Sequence, residues 1–267
     1  MGRKKCKNKN KQKASSLILI VISILAIIVL FLLLIFALKK PIYQIESRGR
    51  NIEKAQKKDS DGMKTVGWLR VQGTNIDYPI LYAPGVSFDY RTDDFVWTEV
   101  DFTKLNNMVY ISGHNIKNLS NKPLIADESH SRFEQLMSFI YPEFVEENQY
   151  IQYSIYGHDY LYKIYSVYFE DSINLELYHS TNYSNSELRN IISPSLDKNI
   201  YDIDVDINEK DKFISLNTCT RFFGNKQLVV NARLVRDNEK ITLSKVKKSK
   251  EYENVEKILK GGDSDEA

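Results

Sequence analysis

The chain has 267 residues, room for one large domain or two small ones. Hydrophobic residues at 42%, charged residues at 27%, 11 Gly and 6 Pro exclude a collagen-like chain and a chain disordered throughout. The net charge of +2 hides an asymmetry: residues 1–16 hold seven cations (Arg3, Lys4, Lys5, Lys7, Lys9, Lys11, Lys13) and no acid, which leaves −5 for the rest. Basic charge confined to a leader removes the support for nucleic-acid binding. Two cysteines, Cys6 and Cys219, are too few for a disulfide framework.

Residues 17–38 read LILIVISILAIIVLFLLLIFAL, with one Ser and no charge. As a helix the run is roughly 33 Å long against a hydrocarbon core of about 30 Å, so it predicts a single transmembrane span. A cleaved signal peptide has a shorter apolar region and a small-x-small site, and neither is present. The basic leader predicts a cytoplasmic N-terminus, which makes 1–16 a cytoplasmic tail and places everything after residue 38 outside the cell. Cys6 then receives no role. Cys219 becomes the sole outer thiol, in a compartment where disulfides ordinarily form, and it is the first candidate for chemistry.

Residues 39–62 read as a helical stalk, polar with Ile42, Ile45 and Ile52 loosely spaced and closed by DSDG at 59–62. From Thr65 onward, short runs rich in β-branched and aromatic residues alternate with turns: VGWLRV, IDYPILY, NNMVYIS, QYIQYSIYG, YLYKIYSVYF, FISLN and QLVVNARLV. Two interruptions read as helices, at 131–140 and 186–192, the second with Ser184 or Ser186 as N-cap. Without βα alternation the pattern predicts a mainly β fold, a closed or nearly closed barrel over 63–237 with a few peripheral helices. Residues 238–267 form a polar C-terminal extension, with 244–260 as a solvated helix.

In Phe213-Ile-Ser-Leu-Asn-Thr-Cys219, strand alternation puts Ile214, Leu216 and Thr218 on one face and Phe213, Ser215, Asn217 and Cys219 on the other. Cys219 ends the strand, so its thiol lies at a sheet rim where a rigid element meets solvent. Burial as a small hydrophobe is the competing reading. A nucleophilic thiol needs a proton partner, most often His. Of His114, His130, His158 and His179, only His114 directly follows an apolar strand (107–112), with Gly113 to turn the backbone before it; the others sit in what read as exposed turns. Asp202, Asp204 and Asp206 alternate, but Ile207 stands where a calcium loop needs Gly, so they read as a solvated strand face. No Cys/His spacing indicates zinc and no glycine loop indicates phosphate, so neither metal nor cofactor is expected.

The segments 67–80 (GWLRVQGTNIDYPI), 109–115 (VYISGHN), 216–219 (LNTC) and 228–232 (LVVNA) occur in the order and spacing of sortases, and resemble class B most. The resemblance covers roughly 65–235 together with the anchor. It implies an eight-stranded β-barrel cysteine transpeptidase on the outer face of a Gram-positive membrane, with Cys219 as nucleophile and His114 as acid/base. It implies substrates that are secreted proteins with a C-terminal sorting signal, and an amine acceptor from a peptidoglycan precursor or a pilin lysine. The family stabilises the oxyanion with an arginine five residues before the strand alanine. Counting back from Ala232 gives Gln227 instead, and Arg221, two residues past Cys219, is the alternative; both stay open as the third catalytic position. An extracellular thiol protease and a non-enzymatic wall-binding β-domain are the competing functions.

Overall fold

The computed structural model describes residues 18–32, 41–59, 64–82, 96–98, 105–115, 133–171, 182–220 and 226–260. It divides into two compact units, residues 1–42 and 43–267. In the first, residues 18–32 form helix α1, whose aliphatic side chains are exposed along its length, from Ile18 to Leu32. Among the described residues no helix is long and apolar enough to cross a membrane. The remainder of the expected span, residue 17 and 33–38, and the expected cytoplasmic tail 1–16 lie outside the described residues.

The second unit is built on a closed barrel of eight strands. In chain order these are β1 (Lys64–Val71), β2 (Asp77–Tyr82), β3 (Val96–Thr98), β4 (Met108–Gly113), β5 (Tyr150–Ile155), β6 (His158–Asp171), β8 (Phe213–Cys219) and β9 (Lys226–Leu234). A separate ribbon pairs β7 (Tyr201–Ile203) with β10 (Val246–Lys248). Around the barrel the order is β1-β2-β3-β4-β8-β9-β6-β5. Neighbours are antiparallel except β2 with β3 and β4 with β8. Period-two alternation fills the interior with Leu69, Val109, Ile111, Ile214, Leu216, Leu228 and Val230, all buried. Between β5 and β6, Tyr156 and Gly157 both take positive φ, 47° and 77°, the two-residue primed turn that suits the twist of a hairpin.

Helix α4 (Asn185–Asp197) covers the outer face of β4, β6 and β8. Its Leu188, Ile191 and Ile192 pack with Met108, Tyr110, Tyr165 and Phe213. The helix begins where the 186–192 pattern predicts and runs five residues further, through Pro194. Ser184 is its N-cap in a reciprocal capping box: Glu187 N donates to Ser184 Oγ at 3.3 Å and Ser184 N donates to Glu187 Oε2 at 2.7 Å. At the other end Ser166 Oγ donates to Ser195 O at 2.6 Å, fastening the helix to β6.

Three expectations change. The helix expected at 131–140 is a 3-10 helix, Glu134–Ile140, wholly buried, followed by α3 (Pro142–Glu147); residues 131 and 132 lie outside the described set. The stalk is helical only over α2 (Gly49–Gln56). From Tyr43 on it is packed against the barrel: Arg48 clasps Asp77 through Nε (3.1 Å) and Nη2 (2.7 Å), while Gln152 accepts from Glu46 N and donates to Glu46 O. The region expected as a solvated C-terminal helix contributes strand β10 and α5 (Tyr252–Leu259), whose Tyr252 and Val255 are buried in the main core. The folded unit therefore extends beyond 63–237 at both ends, because the apolar residues of these flanks have barrel surface to cover. As expected, Asp202, Asp204 and Asp206 are exposed.

The buried Arg233 guanidinium is held by Glu239, with Nη1 to Oε2 at 2.6 Å and Nη2 to Oε1 at 2.8 Å. That contact is the main cause that draws the Glu239 carboxyl down to about 2. A depressed carboxyl contributes stability above its ordinary value and loses it as pH falls from there toward about 2. Glu239→Gln leaves Arg233 buried without its counter-ion and costs about 3 kcal/mol at neutral pH. Urea melts of wild type and variant should differ at pH 7 and converge toward pH 2; equal midpoints at pH 7 would contradict the assignment.

Candidate active site

The site begins with strand register. β4 and β8 are parallel neighbours, paired residue for residue from Met108 with Phe213 to Ser112 with Asn217. Thr218 Oγ1 donates to Gly113 O at 2.7 Å, carrying the contact one residue further. His114 follows the last residue of β4 at this end of the paired strands, and Cys219 ends β8 on the side of the sheet away from Ile214 and Leu216. That side is the outer one, as the β8 alternation predicts: Ile214 and Leu216 fill the barrel while Cys219 is exposed and unbonded to any other cysteine. Ser112 Oγ donates to Asn217 Oδ1 at 2.8 Å, a cross-strand bond between the last paired residues before these strand ends.

Gly113 has a different reason from the expected turn. It is the last residue of β4, and a Cβ there would lie 2.6 Å from Cγ of the buried Phe133 ring. The missing side chain lets Phe133 pack against the strand end, and Phe133 N donates to His114 O at 3.2 Å. The half-buried His114 is thus held at its backbone by the 3-10 segment and by β4. Of the other histidines, His158 is exposed at the start of β6, while His130 and His179 lie outside the described residues.

Across the other edge of β8, Cys219 is paired in antiparallel register with Gln227 of β9. Cys219 and Gln227 thus begin a row that runs across adjacent strands. Gln227 Oε1 is buried and has no hydrogen-bond partner among the described residues. Arg221 lies outside the described residues. Arg233 stands at the far end of β9, roughly 20 Å from Gln227 at strand spacing, and its guanidinium is engaged by Glu239. The row continues to Glu170 of β6, opposite Gln227, which is buried and bridged to Lys198 at 2.8 Å. Glu170 carried no signal in the sequence, because only the β6–β9 register brings it to this row. Among the described residues no group of three or more His, Cys, Asp or Glu could hold a metal ion.

Although Cys219 is exposed, the atoms packed around its sulfur push the thiol above its ordinary value, and its own backbone amide pulls only weakly the other way. The thiolate is the reactive form. Labelling by a methanethiosulfonate reagent should therefore keep accelerating with pH past about 8.5, where an ordinary thiol is half ionised. A rate that levels off below that pH would contradict this placement of the sulfur.

No family model matches the chain. It is 22% identical over 177 residues to sortase B of Staphylococcus aureus, covering 64% of this chain and 70% of that protein. Its fold is similar to the crystal structure of Clostridium perfringens sortase B, at 25% identity and a TM-score of 0.55, over 69% of this chain and all of that one. The S. aureus sortase B–substrate complex matches with a TM-score of 0.54 at 19% identity, over 71% of this chain and 85% of that one. The likeness to class B sortases is thus present in sequence and in fold alike.

Proposed function

We propose that the chain is a membrane-anchored cysteine transpeptidase, with Cys219 as nucleophile and His114 as its proton partner. The observation that carries the reading is the parallel β4–β8 ladder, whose two strands end at Gly113 and Cys219, so that the residue after β4, His114, and the thiol belong to the same end of the barrel. The likeness to class B sortases supports the reaction type, and the apolar run 17–38 behind a basic leader supports the anchor.

The chemistry follows from those two groups. The Cys219 thiolate attacks the carbonyl carbon of a peptide bond in the sorting signal of a secreted protein, and the carbonyl electrons move onto oxygen. Collapse of that oxyanion expels the amine, which takes a proton from the His114 imidazolium, and leaves an acyl thioester on Cys219. An incoming primary amine, from a peptidoglycan precursor or a pilin lysine, attacks the thioester, gives its proton to His114 and returns the thiolate. The oxyanion needs a donor, worth about 10²–10³ in rate in acyl transfer. Gln227 fills that position in this reading: its side-chain amide sits in the row beside Cys219, and donation from Nε2 supplies a hydrogen bond without a charge. Arg221 is the alternative donor.

The reading is tested in the organism that makes the protein. Cys219→Ala should abolish the covalent amide linkage of sorting-signal proteins to wall or pilin, detected by mass spectrometry of their C termini, and His114→Ala should lower it by about 10²-fold or more. Linkage persisting at the wild-type level in Cys219→Ala would overturn the assignment. Release of free carboxyl termini only, unchanged by added hydroxylamine, would make the protein a thiol protease.

A further inference from the structure

At the end of the barrel away from Cys219 lies a charge arrangement that the transpeptidase reading does not use. Lys163 of β6 and Arg233 of β9 are directly opposed in antiparallel register. Their residues are only 5% and 2% exposed. Like charges at opposed positions destabilise a sheet, and burial raises the cost. Glu239 occupies both terminal nitrogens of Arg233, but Arg233 Nε is buried with no hydrogen-bond partner. The Lys163 ammonium stands 6.0 Å over the Tyr150 ring and, among the described residues, makes no hydrogen bond or ion pair.

The two cations line a depression of about 350 Å³. Asp204 and Asp237, both exposed, also line it, at its solvent side. Arg236 and Asp206 line it too, and are occupied with each other at 2.6 Å, Arg236 holding Asp211 as well. A buried ammonium with unfilled donors, backed by the Arg233 charge and next to exposed carboxylates, selects against a simple ion of either sign. An anion reaching Lys163 passes the carboxylates, and a cation drawn to the carboxylates meets Lys163 and Arg233. A molecule carrying both charges satisfies both layers.

We propose that this depression binds a small zwitterion, its carboxylate or phosphate on the Lys163 ammonium and its ammonium on Asp204 and Asp237. Free α-amino acids and phosphate monoesters of amino alcohols share this chemistry. The site is about 20 Å along β9 from the Cys219 row, and the proposal does not depend on the transpeptidase reading.

Calorimetric titration of the full chain in a non-ionic detergent tests it, with glycine, O-phosphoethanolamine, acetate, inorganic phosphate and ethylamine as probes. Glycine or O-phosphoethanolamine should bind, with acetate, phosphate and ethylamine about tenfold weaker or more. Preference for glycine assigns the ligand to the amino-acid class, and preference for O-phosphoethanolamine to the phosphate class. Lys163→Met should remove binding. Asp204→Asn combined with Asp237→Asn, at exposed positions that do not threaten the fold, should weaken the zwitterions about tenfold without weakening acetate. The proposal is overturned if neither zwitterion saturates the chain, if acetate binds as tightly as glycine, or if the double aspartate variant binds the zwitterions like wild type.

Discussion

The parallel pairing of β4 with β8 is the constraint on which the candidate site depends. Each strand alone supplies one reactive side chain at its end, and neither strand has a reason to stop level with the other except their shared ladder. A slip of one residue would turn Cys219 into the barrel and leave His114 outside it. The pattern guards against that slip from both faces. Ile214 and Leu216 are committed to the interior, Met108, Tyr110 and Phe213 to α4, and the Ser112–Asn217 and Thr218–Gly113 bonds fasten the last two steps.

The surroundings of that pair are electrically unusual for a thiol put to nucleophilic work. The row runs Cys219, Gln227, Glu170, so a neutral amide separates the sulfur from a carboxylate whose charge Lys198 neutralises. No described side chain in the row carries an uncompensated positive charge, and desolvation of the thiol outweighs the opposing pull of its own backbone amide. In the proposed reaction, activation of the sulfur therefore falls to the His114 imidazole, and the distance between the two strand ends matters more than any single residue's charge.

Local rules in the sequence carried the β segments, the outward parity of Cys219 and the start of α4, where Ser184 followed three residues later by Glu187 is a capping signal in its own right. What escaped depends on pairing between distant segments. Glu170 enters the row only through the β6–β9 register, which absorbs a bulge between Ile164 and Ser166 that no propensity announces. The 43–59 segment reads as polar stalk because its partners, Asp77, Gln152 and Asp159, belong to barrel strands far along the chain. Likewise β10 is three residues of mixed polarity, recognisable only against Tyr201–Ile203. Gly113 was read for backbone freedom and is needed for space, a distinction that requires knowing where the Phe133 ring lies.

Adjacency of thiol and imidazole can be measured without any substrate. The His114 ring, labelled with ¹⁵N, is titrated by NMR in the wild-type chain and in Cys219→Ala. Side by side, each group's ionisation perturbs the other, so loss of the thiol should displace the imidazole titration and remove the second inflection caused by thiolate formation. Superimposable curves in the two proteins would mean that the strand ends do not bring these groups together.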